Sequence, residues 1–117
     1  MRINFESSLK ERLLAGEKEA FAQTVDLCKD LVYTSSLGLV KNKHDAEDIT
    51  QDTFALLFNK RNTIHPDTDI PSWLYVTAIY ISKRFLRDRK IKKNHEKEME
   101  LMNKKNLEDR ELQEIIM

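Results

Sequence analysis

The strongest constraint on the fold is a helical spacing of apolar residues between Ala20 and Val40. Residues suited to burial recur there every three or four positions, which places them on one face of an α-helix. They are Ala20, Phe21, Thr24, Val25, Cys28, Leu31, Val32, Leu39 and Val40. Because the 117 residues include only two glycines and two prolines, little interrupts such helices. The sequence therefore predicts an all-α fold, a compact bundle of about four to five helices; this segment is either one helix or two helices divided near Asp30.

Three further signals place the elements that follow. Asp45 comes after a polar turn and has the side chain of an N-cap, so a helix is predicted from there to about Arg61. Residues 62–70, NTIHPDTDI, combine a proline with two aspartates and predict a loop. Pro71 suits the first turn of a helix, so a long helix is predicted to begin there.

The C-terminal part has a different composition. Beyond Asn94 the chain is highly charged, and its apolar residues are sparse. They include Leu101, Leu107, Leu112, Ile115 and Ile116. Such a thin apolar stripe predicts a charged helical linker, marginal as a helix unless a partner covers it.

The segment HDAEDITQDTF, which begins at His44, concentrates negative charge. No lysine or arginine occurs between Asp45 and Lys60, although the whole chain has 20 basic and 20 acidic residues. Helical spacing places four residues on one face, which we call the acidic surface: Asp48, Gln51, Asp52 and Ala55. Phe54 and Phe58 are predicted to flank it, as in a docking site for a basic helix. Carboxylates that stabilise the helix N-terminus on an ordinary solvated face explain the same pattern.

A catalytic interpretation of this segment is also open. His44 and Asp45 form the dipeptide found in metal-dependent phosphohydrolases, and Asp48 and Asp52 could share a cation. Such a hydrolase needs further histidines, and the remaining two lie in the predicted loop and in the charged tail. We therefore expect no metal site here.

The fourth helix combines aromatic residues with positive charge. One face is predicted to pack in the core through Leu74, Ala78, Ile81 and Phe85. A neighbouring face carries Trp73, Val76, Tyr80, Lys83, Arg84 and Arg87. Cations neutralise phosphates and aromatic rings stack on unpaired bases, so this face predicts binding of single-stranded or melting nucleic acid. Buried aromatics on a helix with a solvated basic end are the alternative.

Other classes of function lack their sequence signals. There is no nucleophile triad, phosphate-binding loop, dinucleotide-binding turn or zinc motif. The single Cys28 excludes an internal disulfide, and neither a signal-peptide core nor a run of about 18 apolar residues is present. We therefore expect a cytoplasmic binding protein that is not an enzyme, with no cofactor and no membrane contact.

Taken together, these residues resemble region 2 of bacterial sigma factors of the extracytoplasmic-function (ECF) class. The resemblance runs from about Leu13 to Lys93 and includes LLAGEKEAF, the central helices and PSWLYVTAIYISKRFLRDRK. Its most specific part is DAEDITQDTF, which is similar to the family pattern Asp-Ala-Glu-Asp-(Leu/Ile)-x-Gln-(Glu/Asp)-x-Phe.

The resemblance implies two partners for two surfaces. The acidic surface would dock on the clamp helices of the largest subunit of core RNA polymerase. The loop and the fourth helix would bind the non-template strand of the −10 promoter element and help to open it. The implied DNA-binding residues are Lys60, Arg61, Asn62, Trp73, Tyr80, Lys83, Arg84 and Arg87. An anti-sigma factor would be a further partner.

Two departures from the family accompany these expectations. Tyr80 stands where an asparagine that reads promoter bases is usual, so stacking could replace hydrogen bonding there. Residues 1–94 would form the region 2 domain and residues 95–117 a linker toward a helix-turn-helix domain that this chain lacks. These departures leave a second hypothesis open, a helical module that docks on polymerase or on a regulator without reading DNA.

Overall fold

The chain folds into helices that connect through short turns and one loop. The computed structural model describes the backbone of residues 3–116 and the side chains of residues 3–105. The elements are α1 (Ser7–Leu14), α2 (Lys18–Val40), α3 (Lys43–Lys60), a 3-10 helix (Arg61–Thr63) and α4 (Ile70–Ile116). No strand occurs among these residues, and the all-α prediction is confirmed.

The α2 segment is a single helix, not two helices divided near Asp30. Its buried residues form one unbroken row at intervals of four, which only a continuous helix can bury on one side. They are Ala20, Thr24, Cys28, Val32, Ser36 and Val40.

The connection from α2 to α3 needs only two residues. Lys41 adopts the left-handed conformation, with φ of 55°, and its backbone N–H donates to the carbonyl oxygen of Leu37 at 2.9 Å. Asn42 then caps α3, because its side-chain oxygen accepts from the backbone N–H of Asp45 at 2.9 Å. The prediction that Asp45 is the N-cap was therefore wrong, and Asp45 lies in the first helical turn.

The loop and the beginning of α4 agree with the sequence prediction within one or two residues. The 3-10 helix includes Asn62, the loop spans residues 64–69, and α4 begins at Ile70. Beyond Asn94 the backbone remains helical to Ile116. The apolar side chains predicted after Leu101 lie outside the residues whose side chains are described. No helix in the described part of the chain is long and apolar enough to cross a bilayer.

The chain divides into two units, Met1–Arg84 and Phe85–Met117. The first unit contains α1, α2, α3, the loop and the first part of α4, and it holds the hydrophobic core. The predicted boundary near residue 94 concerns function and stays a prediction.

Every α-helix contributes buried residues to the core of the first unit. These are Leu9 and Leu13 from α1, Ala20, Cys28 and Val32 from α2, Phe54 and Leu57 from α3, and Ile70, Leu74 and Ala78 from α4. Three buried hydroxyls, those of Thr24, Thr53 and Ser82, donate to the carbonyl oxygen four residues earlier at 2.7–2.8 Å. Their polar atoms are thereby satisfied without a partner on another helix.

We expect the buried thiol of Cys28 to make the protein less stable at alkaline pH. Burial, and secondarily the negative charge of Asp69, raise the pKa of Cys28 to about 11 from an ordinary value of 9.0. Since the folded state holds this proton more tightly, the stabilisation is complete below pH 9 and disappears as the pH rises through 11. Between pH 8 and pH 10.5 the free energy of unfolding of the wild type should fall by about 2 kcal/mol more than that of the variant Cys28→Ala. Urea unfolding of both proteins at pH 8 and pH 10.5 measures this, and equal losses would contradict it.

Replacing the two glycines by alanine should have opposite effects on the stability of the protein. Gly16, between α1 and α2, has φ of 89°, and a Cβ there would lie 2.9 Å from Nε of Arg61. Gly38 lies in α2 and a Cβ there would meet nothing within 4 Å. We expect Gly16→Ala to lower the free energy of unfolding by about 1–3 kcal/mol and Gly38→Ala to raise it by about 0.5–1 kcal/mol. Urea titrations of both variants measure these changes. A change of the same sign in both variants would contradict the prediction.

Candidate functional site

The acidic surface exists as an exposed face of α3. Asp48, Gln51, Asp52 and Ala55 are all exposed. The opposite face of α3 supplies buried residues to the unit, including Ala46, Ile49, Thr53 and Leu57. Packing of the apolar side therefore turns the acidic surface toward solvent.

Of the two aromatic residues predicted to flank this surface, Phe54 is buried and Phe58 is partly buried. Phe54 is only 5% exposed and belongs to the core. Phe58 packs edge-on against Phe21 of α2, with ring centroids 5.3 Å apart. Phe54 therefore faces the core and Phe58 faces α2, because a position beside the polar stripe is also beside the packed side of the helix. His44 is an exposed neighbour of the surface, and its Nε2 lies 3.9 Å from Oδ2 of Asp48.

A second feature is a cleft between the loop and α4, which we call the loop cleft. Its volume is about 560 Å³. The lining residues are Leu56, Lys60, Thr63, Ile64, His65, Thr68, Trp73, Val76, Thr77 and Tyr80. Tyr80 is 64% exposed and Trp73 is half-buried against the core. One exposed ring, one anchored ring and a lysine thus share one cavity with hydroxyls and an imidazole.

Four hydrogen bonds hold the loop that forms one wall of the cleft. Thr63 Oγ1 donates to the carbonyl oxygen of Lys60 at 2.8 Å, and the backbone N–H of Thr68 donates to that of His65 at 2.9 Å. Nδ1 of His65 accepts from the backbone N–H of Asp67 at 3.0 Å. Lys10 of α1 donates to the carbonyl oxygen of Thr68 at 3.4 Å. The wall is therefore shaped before any ligand arrives.

The predicted cations outside the cleft have different local surroundings. Lys83 and Arg84 are exposed on α4, three and four positions after Tyr80 and hence on its side of the helix. Arg87 belongs to the second unit, where its Nε lies 3.9 Å from Oδ1 of Asp88. Arg61 is folded back against α3, with Nη1 donating to the carbonyl oxygen of Phe58 at 2.7 Å.

Of the eight predicted DNA-binding residues, the loop cleft brings together three: Lys60, Trp73 and Tyr80. Asn62 is exposed in the 3-10 helix but does not line the cleft. Leu56 and Thr77 line it and were not predicted. Their sequence neighbourhood carries no signal for this, since each occupies an ordinary helical position that only tertiary packing turns toward the loop.

The hydrolase alternative gains no ligand set. His44 and Asp48 are both largely exposed, with side-chain exposures of 82% and 62%. Within the part of the chain that the structure describes, no group of three histidine, cysteine or carboxylate side chains could hold a metal ion.

Both candidate surfaces lie in a segment of the chain that matches a family model. Residues 24–91 match the model of the sigma-70 region 2 family, which is more than half of the chain. The chain therefore belongs to the sigma-70 family, with a region 2 domain over these residues.

The chain is also similar to a curated sigma factor. Over 75 residues the chain is 31% identical to the ECF RNA polymerase sigma factor SigW of Bacillus subtilis (strain 168). The aligned part is 64% of this chain and 40% of that protein, so the chain spans less than half of its relative's length. No solved structure matches the chain significantly.

Proposed function

We propose that this chain performs the region 2 role of a sigma factor in transcription initiation. It docks on core RNA polymerase through the acidic surface and captures unpaired bases of the −10 promoter element in the loop cleft. The observation that carries the proposal is that one unit, Met1–Arg84, presents both surfaces. Neither contact makes or breaks a covalent bond, so no residue is assigned a catalytic role.

The partner of the acidic surface is the coiled coil of clamp helices in the largest polymerase subunit. Asp48 and Asp52 lie one turn apart on an exposed face of α3. The segment from Asp45 to Asn59 contains no lysine or arginine that would neutralise them within the helix. A basic helix laid along this face gains charge complementarity, which sets both orientation and association rate.

The ligand of the loop cleft is a base of the non-template strand. The volume of about 560 Å³ lies within the range of roughly 300–1,000 Å³ that is usual for small-molecule sites. Tyr80 offers a ring for stacking, and Thr63, Thr68 and Thr77 line the same space. Lys60 at the cleft, with Lys83 and Arg84 further along α4, supplies positive charge for phosphates.

Base capture also accounts for promoter opening without a nucleotide cofactor. Unstacking a base costs a few kcal/mol, and stacking it on an aromatic side chain returns about 1–3 kcal/mol. Trp73 is half-buried and therefore held in place, and Tyr80 is exposed, so the two rings suit an edge and a platform. The captured strand then offsets much of the cost of opening.

The remaining assignments belong to the same proposal. Residues 1–94 carry both contacts, and residues 95–117 act as a linker toward a helix-turn-helix domain. The place of action is the cytoplasm, where polymerase and promoter DNA meet, and an anti-sigma factor is a further partner. A second candidate is a docking module that does not read DNA, which is favoured by Tyr80 at the position of the usual asparagine.

Selection from a pool of single strands with a randomised ten-nucleotide window tests the proposal. We expect the chain to enrich one short motif, and the enriched strand to bind better than its scrambled version at moderate salt. Retention without any enriched motif would leave only the docking module. That result would overturn promoter reading.

A further inference from the structure

We infer that Arg61 is a positioning residue, which holds the loop cleft in shape from behind and does not contact DNA. The inference rests on the proposed capture of bases in that cleft. It changes the role expected of Arg61 from its sequence position, since a cation next to the cleft would ordinarily be assigned to a phosphate.

The Arg61 side chain is committed to the end of α3. Its Nη1 donates to the carbonyl oxygen of Phe58 at 2.7 Å, and the same oxygen accepts the backbone N–H of Arg61. The guanidinium carbon lies 4.2 Å from the centroid of the Phe58 ring. A planar guanidinium can make this stack and this hydrogen bond together, which anchors it in one orientation.

The turn between α1 and α2 also lies close to the guanidinium. A Cβ at Gly16 would lie 2.9 Å from Nε and 3.4 Å from Nη2 of Arg61. The Nε atom is buried, and none of the described residues provides it with a hydrogen-bond acceptor. A phosphate contact would need the side chain to leave this enclosed position and to give up its contacts with Phe58.

Arg61 thereby connects the end of α3 with the turn between α1 and α2, just before the loop. Phe58, on which it stacks, packs against Phe21 of α2 at an interplanar angle of 72°. Lys60 precedes Arg61, Thr63 and Ile64 follow closely, and all three line the cleft. The orientation of the Arg61 backbone therefore sets the wall that a captured base would meet.

Lys60 provides a matched comparison for the test. It carries the same charge one residue earlier, is exposed, and lines the cleft. Replacing either cation by glutamine removes one positive charge from the same place in the sequence. A phosphate contact and a positioning contact then differ in what they change.

The experiment measures strand binding by Lys60→Gln, Arg61→Gln and Arg61→Lys at several salt concentrations. For Lys60→Gln we expect weaker binding of all strands and a salt slope, log K against log salt, reduced by about 0.7. Both Arg61 variants should keep the wild-type slope. Their preference for the selected strand over the scrambled one should be at least about fivefold smaller than that of the wild type. Lysine should not rescue, because an ammonium group cannot reproduce the planar stack.

A second measurement does not depend on DNA. Amide hydrogen exchange of residues 62–69 should be at least about tenfold faster in Arg61→Lys than in the wild type, with α2 unchanged. A reduced salt slope in Arg61→Gln that lysine restores would overturn the inference, as would unchanged exchange in the loop. If the wild type shows no strand preference, the proposed base capture fails, and the exchange result still decides whether Arg61 holds the loop.

Discussion

Replacing Asp48, Gln51 and Asp52 together by alanine should weaken binding to the isolated clamp coiled coil by at least about tenfold, or about 1.4 kcal/mol. All three side chains are exposed on one face of α3 and support none of the core. The variant should therefore fold like the wild type, since alanine also favours the helix. Titration calorimetry with the purified coiled coil measures the loss, and a thermal unfolding curve checks the fold.

A charge-matched control separates docking from net charge. Asp26 and Asp30 are exposed on α2, so the double variant Asp26→Ala/Asp30→Ala also removes two negative charges, but from another helix. This double variant should bind the coiled coil nearly as well as the wild type does. Equal weakening in both variants would mean that the attraction is non-specific and that the acidic surface is not the docking site.

Replacing Tyr80 by alanine should weaken binding of the selected single strand by about 1–3 kcal/mol, roughly 5- to 150-fold. The ring lines the loop cleft and is 64% exposed, so its loss removes a stacking platform at little cost to the core. Tyr80→Phe should retain most of the affinity, because stacking needs the ring and not the hydroxyl. Fluorescence anisotropy of a labelled strand measures these changes.

Tyr75 is the control for this second prediction. It is 46% exposed on the same helix but lines a different cleft, with Ile3, Leu31 and Pro71 among its neighbours. Tyr75→Ala should leave strand binding within about twofold of the wild type. If Tyr75→Ala weakens binding as much as Tyr80→Ala does, the base does not enter the loop cleft.

The exposed and buried faces of single helices were predictable from the sequence. Asp48, Gln51 and Asp52 stand out because their spacing matches one helical face and no cation interrupts it. The start of α4 was predictable because Pro71 suits a first turn. These inferences need only local periodicity and backbone preferences.

Features that depend on distant packing were not predictable in the same way. Phe54 and Phe58 are next to the acidic surface around α3, yet only the packing of the other helices decides that Phe54 enters the core and that Phe58 meets Phe21 of α2. The approach of Gly16 to Arg61 joins residues 45 positions apart, and Lys10 reaches Thr68 across 58 positions. Such contacts leave no periodic trace, so the shape of the loop cleft had to come from the structure.

The placement of the two surfaces has a physical consequence for initiation. Both belong to one unit with a shared core, and α3 contributes to each at different levels along its length, through Asp48 and Asp52 to the acidic surface and through Leu56 and Lys60, one and two turns after Asp52, to the cleft. Binding of polymerase therefore need not distort the cleft, and a captured base need not disturb the docking face. We expect the two ligands to bind together.

The most direct test of this account measures both ligands at once. A labelled copy of the selected strand is saturated with the chain, the unlabelled clamp coiled coil is then added, and the fluorescence anisotropy of the strand is followed. We expect a further rise to a second plateau, because strand, chain and coiled coil form one complex. A fall toward the value of the free strand would contradict it, since the two ligands would then compete for the same surface.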